Sequence, residues 1–167
     1  MALLNILQFP DKRLKAIASP VEHFNEELQQ IIADMFETMY EAQGVGLAAT
    51  QVNIQQRIIV IDTSRDRSNP LCLINPEITH QEGTLEWEEG CLSFPGVYAK
   101  VKRFAKIGIN YNDQNGTQQS LEAEQLFSVC IQHEIDHLNG ITFYDHLSAL
   151  KQQMLKKKLK KIREKSL

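Results

Sequence analysis

Apolar positions recur at helical spacing in three stretches of the chain and crowd at strand-like density in three others. In "NEELQQIIADMFETMYEAQG", residues 25–44, the residues Leu28, Ile31, Ile32, Met35 and Met39 make one stripe, with Asn25 placed to cap a helix and Glu26 and Glu27 suited to its positive end. Gly44 is the expected stop. "EQLFSVCIQHEIDHL", residues 124–138, repeats the pattern and runs into Asn139-Gly140, a helix-terminating pair. "SALKQQMLKKKLKKIREK", from the cap Ser148, sets Leu150, Leu155, Leu159 and Ile162 among lysines. "RIIVID" and "LCLINPEI" have the density of buried strands, and the alternation Ile107, Ile109, Tyr111 leads into a hairpin turn at Asn115-Gly116. The pattern predicts an α+β fold: mostly antiparallel strands around a central helix, with an N-terminal helix and a basic C-terminal one.

Composition narrows the class. With 167 residues, 43% of them apolar, one core suffices. The expected division is a body over 1–147 and a basic helix over 148–167 that extends the same domain. No apolar run approaches the roughly 20 residues of a membrane span, and the start "MALLNILQFPDKR" lacks the pattern of a secretory signal. Three cysteines, Cys72, Cys91 and Cys130, make no even disulfide framework and fit a reducing, cytoplasmic setting. The net charge of −3 conceals a division: from Lys151 onward eight Lys or Arg face one Glu, so that segment carries +7 and residues 1–150 carry −10.

The chemistry begins at His133-Glu134-Ile135-Asp136-His137. Two histidines four apart on a helix project from one face and can aim at one ion, with Glu134 beside it to handle a proton. A catalytic metal site needs a third protein ligand. The metzincin spacing puts Phe143 where its third histidine belongs, and the thermolysin-like alternative finds only Glu164 in the basic tail. The ligand is therefore sought upstream, where three cysteines compete. Cys130 shares the helix face of His133, Cys72 sits in an apolar strand, and Cys91 lies in "WEEGCLSFPG", read as an irregular stretch between Gly90 and Pro95-Gly96. His23, His80 and His146 have no ligand-like neighbours. In "GVGLAATQ", residues 44–51, the glycines lack the strand and helix context of a phosphate loop but let backbone approach a ligand, and Gln51 offers an amide donor.

"GVGLAATQ", "EGCLS" and "QHEIDHL", in that order and separation, resemble the peptide deformylases, specifically the bacterial type with a basic C-terminal helix, over essentially the whole chain. The resemblance implies a metal-dependent hydrolase that removes the N-formyl group from the initiator methionine of new polypeptides and releases formate. It implies Cys91, His133 and His137 as metal ligands, Glu134 as general acid and base, and the Gln51 amide and Leu92 N–H as donors to the formyl oxygen. It also implies iron(II), one per chain, for which Ni2+, Co2+ or Zn2+ can substitute. Backbone of Gly44, Val45, Gly46 and Gly90 would line the peptide, Leu126, Val129 and Cys130 would receive the methionine, and Glu89 would brace the 91 loop. Asp136, off the ligand face, would hold a cation such as Arg103. Where some relatives carry a basic residue after the Cys motif, this chain has Tyr98. The basic helix would dock on the ribosome near the exit tunnel, and the enzyme would be monomeric. The rivals are an H-E-x-x-H endopeptidase, a cysteine hydrolase using Cys91, and a non-catalytic ribosome-binding module.

Overall fold

Four consecutive apolar residues, Ile58–Ile61, are all buried because their strand is covered on both sides. In the computed structural model of the chain, which describes residues 2–165, side chains of this strand alternate between two cores. Ile59 and Ile61 pack with Ile131, Ile135 and Leu138 of the metal-motif helix. Ile58 and Val60 pack with Leu28, Ile32, Met35 and Met39 of the first long helix. An uninterrupted apolar run is what such a position requires.

That strand is β2 of a five-stranded antiparallel sheet whose spatial order follows the sequence. The others are β1 (Gly46–Ala48), β3 (Leu71–Cys91), β4 (Phe94–Asn112) and β5 (Gln118–Glu124). Helix α1 (Glu26–Glu41) lies between Asn25 and β1; α2 (Gln125–Leu138) follows β5 directly; α3 (Ala149–Lys165) comes last. The α+β expectation holds.

The pattern of apolar residues had picked out only the ends of β3 and β4. In the fold they form one long hairpin that closes through Leu92 and Ser93, with Cys91 opposite Phe94. "EGCLS" is thus the tip of that hairpin rather than an irregular stretch, and Cys91 is the last residue of a 21-residue strand. Glu82, Glu86 and Glu88 stand opposite Lys106, Lys102 and Lys100, so opposite charges rather than apolar alternation mark the exposed half. At the other end Asn75 takes the left-handed conformation (φ 52) in a register shift of the sheet, and its side-chain amide bonds both backbone groups of Val21.

Asn25 caps α1 as expected, its Oδ1 accepting the Leu28 N–H at 3.0 Å. The stop differs: Gln43, not Gly44, takes the left-handed conformation (φ 59), and the N–H groups of Gln43 and Gly44 close on the carbonyls of Tyr40 and Met39. Gly44 instead makes room for Leu92, whose Cδ1 would lie 2.6 Å from a Cβ there and would have to move aside. In α3, Leu155 and Leu159 bury against Phe94, Val97 and Val101, with Ile162 half-buried, while Leu150 is 67% exposed and falls outside the stripe assigned to it. Among the described residues no helix is long and apolar enough to cross a membrane.

Candidate metal centre

Helical geometry brings His133 and His137 together on the sheet-facing side of α2, with their Nε2 atoms 3.2 Å apart. The hairpin tip delivers the third group: Cys91 Sγ lies 3.3 Å from His137 Nε2. Ligand atoms of these three residues all lie within 4.8 Å of one another. Cys72 and Cys130 are buried in apolar surroundings that push each thiol up to about 12, as suits packing rather than ligation.

The residues fit a resident cation. His133 gives its Nδ1–H to Glu89 Oε1 at 2.8 Å, which leaves Nε2 as the lone-pair nitrogen. Glu89 in turn takes two hydrogen bonds from Arg103, at 2.7 and 2.9 Å. Burial pushes the Glu89 carboxyl up, but Arg103 and His133 outweigh it and hold it at about 2. Glu134 Oε1 is buried without a hydrogen-bond partner among the described residues, a costly arrangement that a cation with its water would relieve. Burial raises the Glu134 carboxyl to about 7, and a neighbouring cation would draw it down again. The two imidazoles diverge. Burial opposes the proton on both, but the negative charge of Glu134 and Cys91 and the Glu89 bond lift His133 well above the ordinary range, whereas burial and His133 push His137 well below it.

Gln51 stands beside this group and is almost wholly buried. Its Oε1 accepts the Ala48 N–H at 3.0 Å, which turns Nε2 toward the site, where it donates to Ser93 Oγ at 3.1 Å and lies 3.6 Å from Cys91 Sγ. Ser93 was not singled out from sequence, although it belongs to "EGCLS". Gly46 makes room for Glu134, because a Cβ there would come within 2.7 Å of Oε2. Cys91, Glu134 and Gln51 open on a cavity of about 480 Å3. Its walls include the backbone from Gly44 to Gly46, Gly90 and Leu92 on one side and Leu126, Val129 and Cys130 on the other. Tyr98, 63% exposed, stands at the rim with its ring against Gly90. Glu89 also reaches the lining, but its carboxylate is engaged with Arg103 and His133, so it braces His133 rather than the 91 loop. Asp136 does bind Arg103, at 2.7 Å.

Phe143, at the position of the metzincin third histidine, is fully buried and stacks on His133, centroids 6.1 Å apart. It supports the His133 ring and supplies no donor atom. One sulfur and two imidazole nitrogens beside a buried carboxylate, at the floor of an open cavity in an α+β fold, define a metal-dependent hydrolase.

Comparison with known proteins makes the class specific. The chain belongs to the polypeptide deformylase family, whose sequence model matches residues 3–153. A peptide deformylase of Chromobacterium violaceum is 54% identical over 161 residues, 96% of each chain. The crystal structure of a peptide deformylase from Legionella pneumophila superposes with a TM-score of 0.95 at 46% identity, covering 98% of this chain and 97% of that one. A peptide deformylase from Ehrlichia chaffeensis, solved in complex with actinonin, gives a TM-score of 0.91 at 37% identity over 99% and 98% of the two chains. The chain is therefore an enzyme, and the docking-module and endopeptidase readings lose their ground.

Proposed function

We propose that the enzyme hydrolyses the formamide of N-formylmethionyl polypeptides, with Cys91, His133 and His137 holding the metal. The convergence of Cys91 Sγ with the two Nε2 atoms beside Glu134 is the observation that carries this reading. A divalent cation held there would supply Lewis acidity toward a carbonyl oxygen and would acidify a water molecule. Glu134 is placed to take the proton of the attacking water as its oxygen adds to the formyl carbon. Gln51 Nε2–H and the Leu92 N–H meet the negative charge that grows on the formyl oxygen, each worth about 3 to 4 kcal/mol of barrier by analogy with other oxyanion donors. As the C–N bond breaks, Glu134 gives the proton to the departing amine, and formate leaves.

Selectivity for formyl over acetyl rests on one methyl group, which an ordinary pocket discriminates by only about 1 to 3 kcal/mol. Here the slot is walled by backbone at Gly44 to Gly46 and at Gly90, and at the three glycines Leu92, Glu134 and Tyr98 pack into the space a Cβ would take, so the backbone itself forms the wall that excludes the extra methyl. Polar groups of Val45, Gly46 and Gly90 pair with the extended peptide as an added strand. Leu126, Val129 and Cys130 receive the methionine side chain.

The metal is iron(II), with nickel, cobalt or zinc as substitutes, and the protein works as a monomer in the cytoplasm. Its exposed α3 lysines dock on ribosomal RNA phosphates near the exit tunnel. Anaerobically purified, iron-loaded protein is expected to release formate from formyl-Met-Ala-Ser, not acetate from acetyl-Met-Ala-Ser, and to lose activity in air. Glu134→Ala should lower kcat by about 10²- to 10⁴-fold without loss of metal. An equally active, air-stable zinc form would reject iron, and full activity in Glu134→Ala would reject the mechanism.

A further inference from the structure

The ligand His133 is tied to the surface by a continuous chain of hydrogen bonds across four elements. It runs from His133 Nδ1 to Glu89 on β3 (2.8 Å), from Glu89 to Arg103 on β4 (2.7 and 2.9 Å), and from Arg103 Nη1 to Asp136 Oδ2 on α2 (2.7 Å). Its last member is His146, whose Nε2 lies 2.8 Å from the same Asp136 oxygen. Arg103 and Glu89 are almost completely buried, at 5% and 3% side-chain exposure, whereas Asp136 is 21% and His146 39% exposed. The imidazole therefore stands where the chain meets water.

His146 ends the single 3-10 turn Phe143–His146, and both ends of that turn reach the site. Phe143 stacks on the His133 ring at the buried end, while His146 holds Asp136 at the exposed end. Asp145 Oδ2 accepts the Thr142 N–H at 2.9 Å and fixes the turn between them. A carboxylate accepts only, so the bond to Asp136 Oδ2 requires the proton on His146 Nε2. That nitrogen then has no lone pair for Arg103 Nη1, 3.5 Å away. Asp136 Oδ2 is left as the common acceptor of the Arg103 and His146 donors.

We propose that His146 is a positioning residue for the metal centre: it holds Asp136 and shields the Asp136–Arg103 pair from water, so that Arg103 keeps Glu89 in the orientation that steadies His133. This rests on the assignment of His133 as a metal ligand. Water admitted at Asp136 would weaken its attraction for Arg103 and loosen every later link of the chain. Partners that orient a ligand histidine typically change metal affinity by 10- to 100-fold.

The test is chelator-driven release of Co2+ from the loaded full-length protein, read by the visible spectrum of the bound ion, with the apo-protein Tm measured alongside. His146→Ala is expected to release the ion about fivefold faster, below the range for a direct partner of a ligand because two further residues intervene. His146→Gln, which keeps an N–H donor, should restore the rate to within about twofold, and His80→Ala, at a surface ion pair with Glu122, should leave it unchanged. Wild-type release from His146→Ala would overturn the proposal, as would failure of Gln to rescue when the apo-protein Tm is unchanged. Failure of the wild type itself to bind Co2+ would instead overturn the ligand assignment.

Discussion

At the scale of single residues, Gly46 and Glu134 illustrate how little freedom the site has. Gly46→Ala places a Cβ 2.7 Å from Glu134 Oε2 and must displace the carboxylate. Small misplacements of a reacting group cost about 100-fold, so kcat on formyl-Met-Ala-Ser should fall by that order while the Tm changes little. A second expectation concerns Asp62, just beyond β2, which accepts hydrogen bonds from the Ser64 hydroxyl, from Tyr40 Oη and from the Ser64 and Asn69 N–H groups. Burial pushes its carboxyl up, but these bonds prevail and hold it below the ordinary 3.8. A group depressed on folding stabilises fully above its unfolded value and ceases to do so as pH falls through the folded one. Urea titrations of wild type and Asp62→Asn should differ at neutral pH and converge below about pH 3.8. His133, His137 and Glu134 were legible because a helix brings near neighbours in sequence onto one face. Cys91 and Gln51 stood among the candidates from their local stretches, but their roles were assigned only through likeness to a family, since no local period links residues 40 or more positions away. The Glu89–Arg103 pair was unreadable in advance because it joins two strands of a hairpin whose register sequence did not disclose.

The elements show the same division. β2 was evident because burial on both faces demands an unbroken apolar run, and α1 because its stripe and Asn25 cap agree. The outer halves of β3 and β4 were missed because their exposed faces carry Glu and Lys, which resemble a loop by composition. The matched charges Glu86 with Lys102 and Glu88 with Lys100, counted outward from a turn at Leu92-Ser93, were the available signal. For α3 the lysines hid a structural role: Leu159 is 2% exposed within the Phe94–Val101 cluster. Leu159→Ala should cost about 2 to 5 kcal/mol in urea unfolding, by the usual toll of a buried leucine. Leu150→Ala, at an exposed position, should be close to neutral.

For the whole molecule the governing quantity is the separation of a +7 helix segment from a −10 body. Deleting the helix would strip cover from Phe94 and Val101, so surface substitutions test the proposed docking apart from folding better than truncation does. Replacing the exposed Lys156, Lys157 and Lys160 by Ser should weaken ribosome association in sedimentation assays and flatten its salt dependence, while formate release from a tripeptide is retained. Association that ignored salt would argue against phosphate recognition.

Cys91 and His137 stand 46 positions apart, one at the end of a hairpin and the other within the helix that follows it. An ion gripped by both, as proposed, would be a reversible cross-link, closing a loop of chain that includes β4 and β5. Closure of a loop that long by a covalent disulfide removes disorder from the unfolded chain worth about 4 kcal/mol. Metal starvation would therefore withdraw a fastener as well as a reagent, and the hairpin tip, which presents the thiol, is where the chain should first come undone.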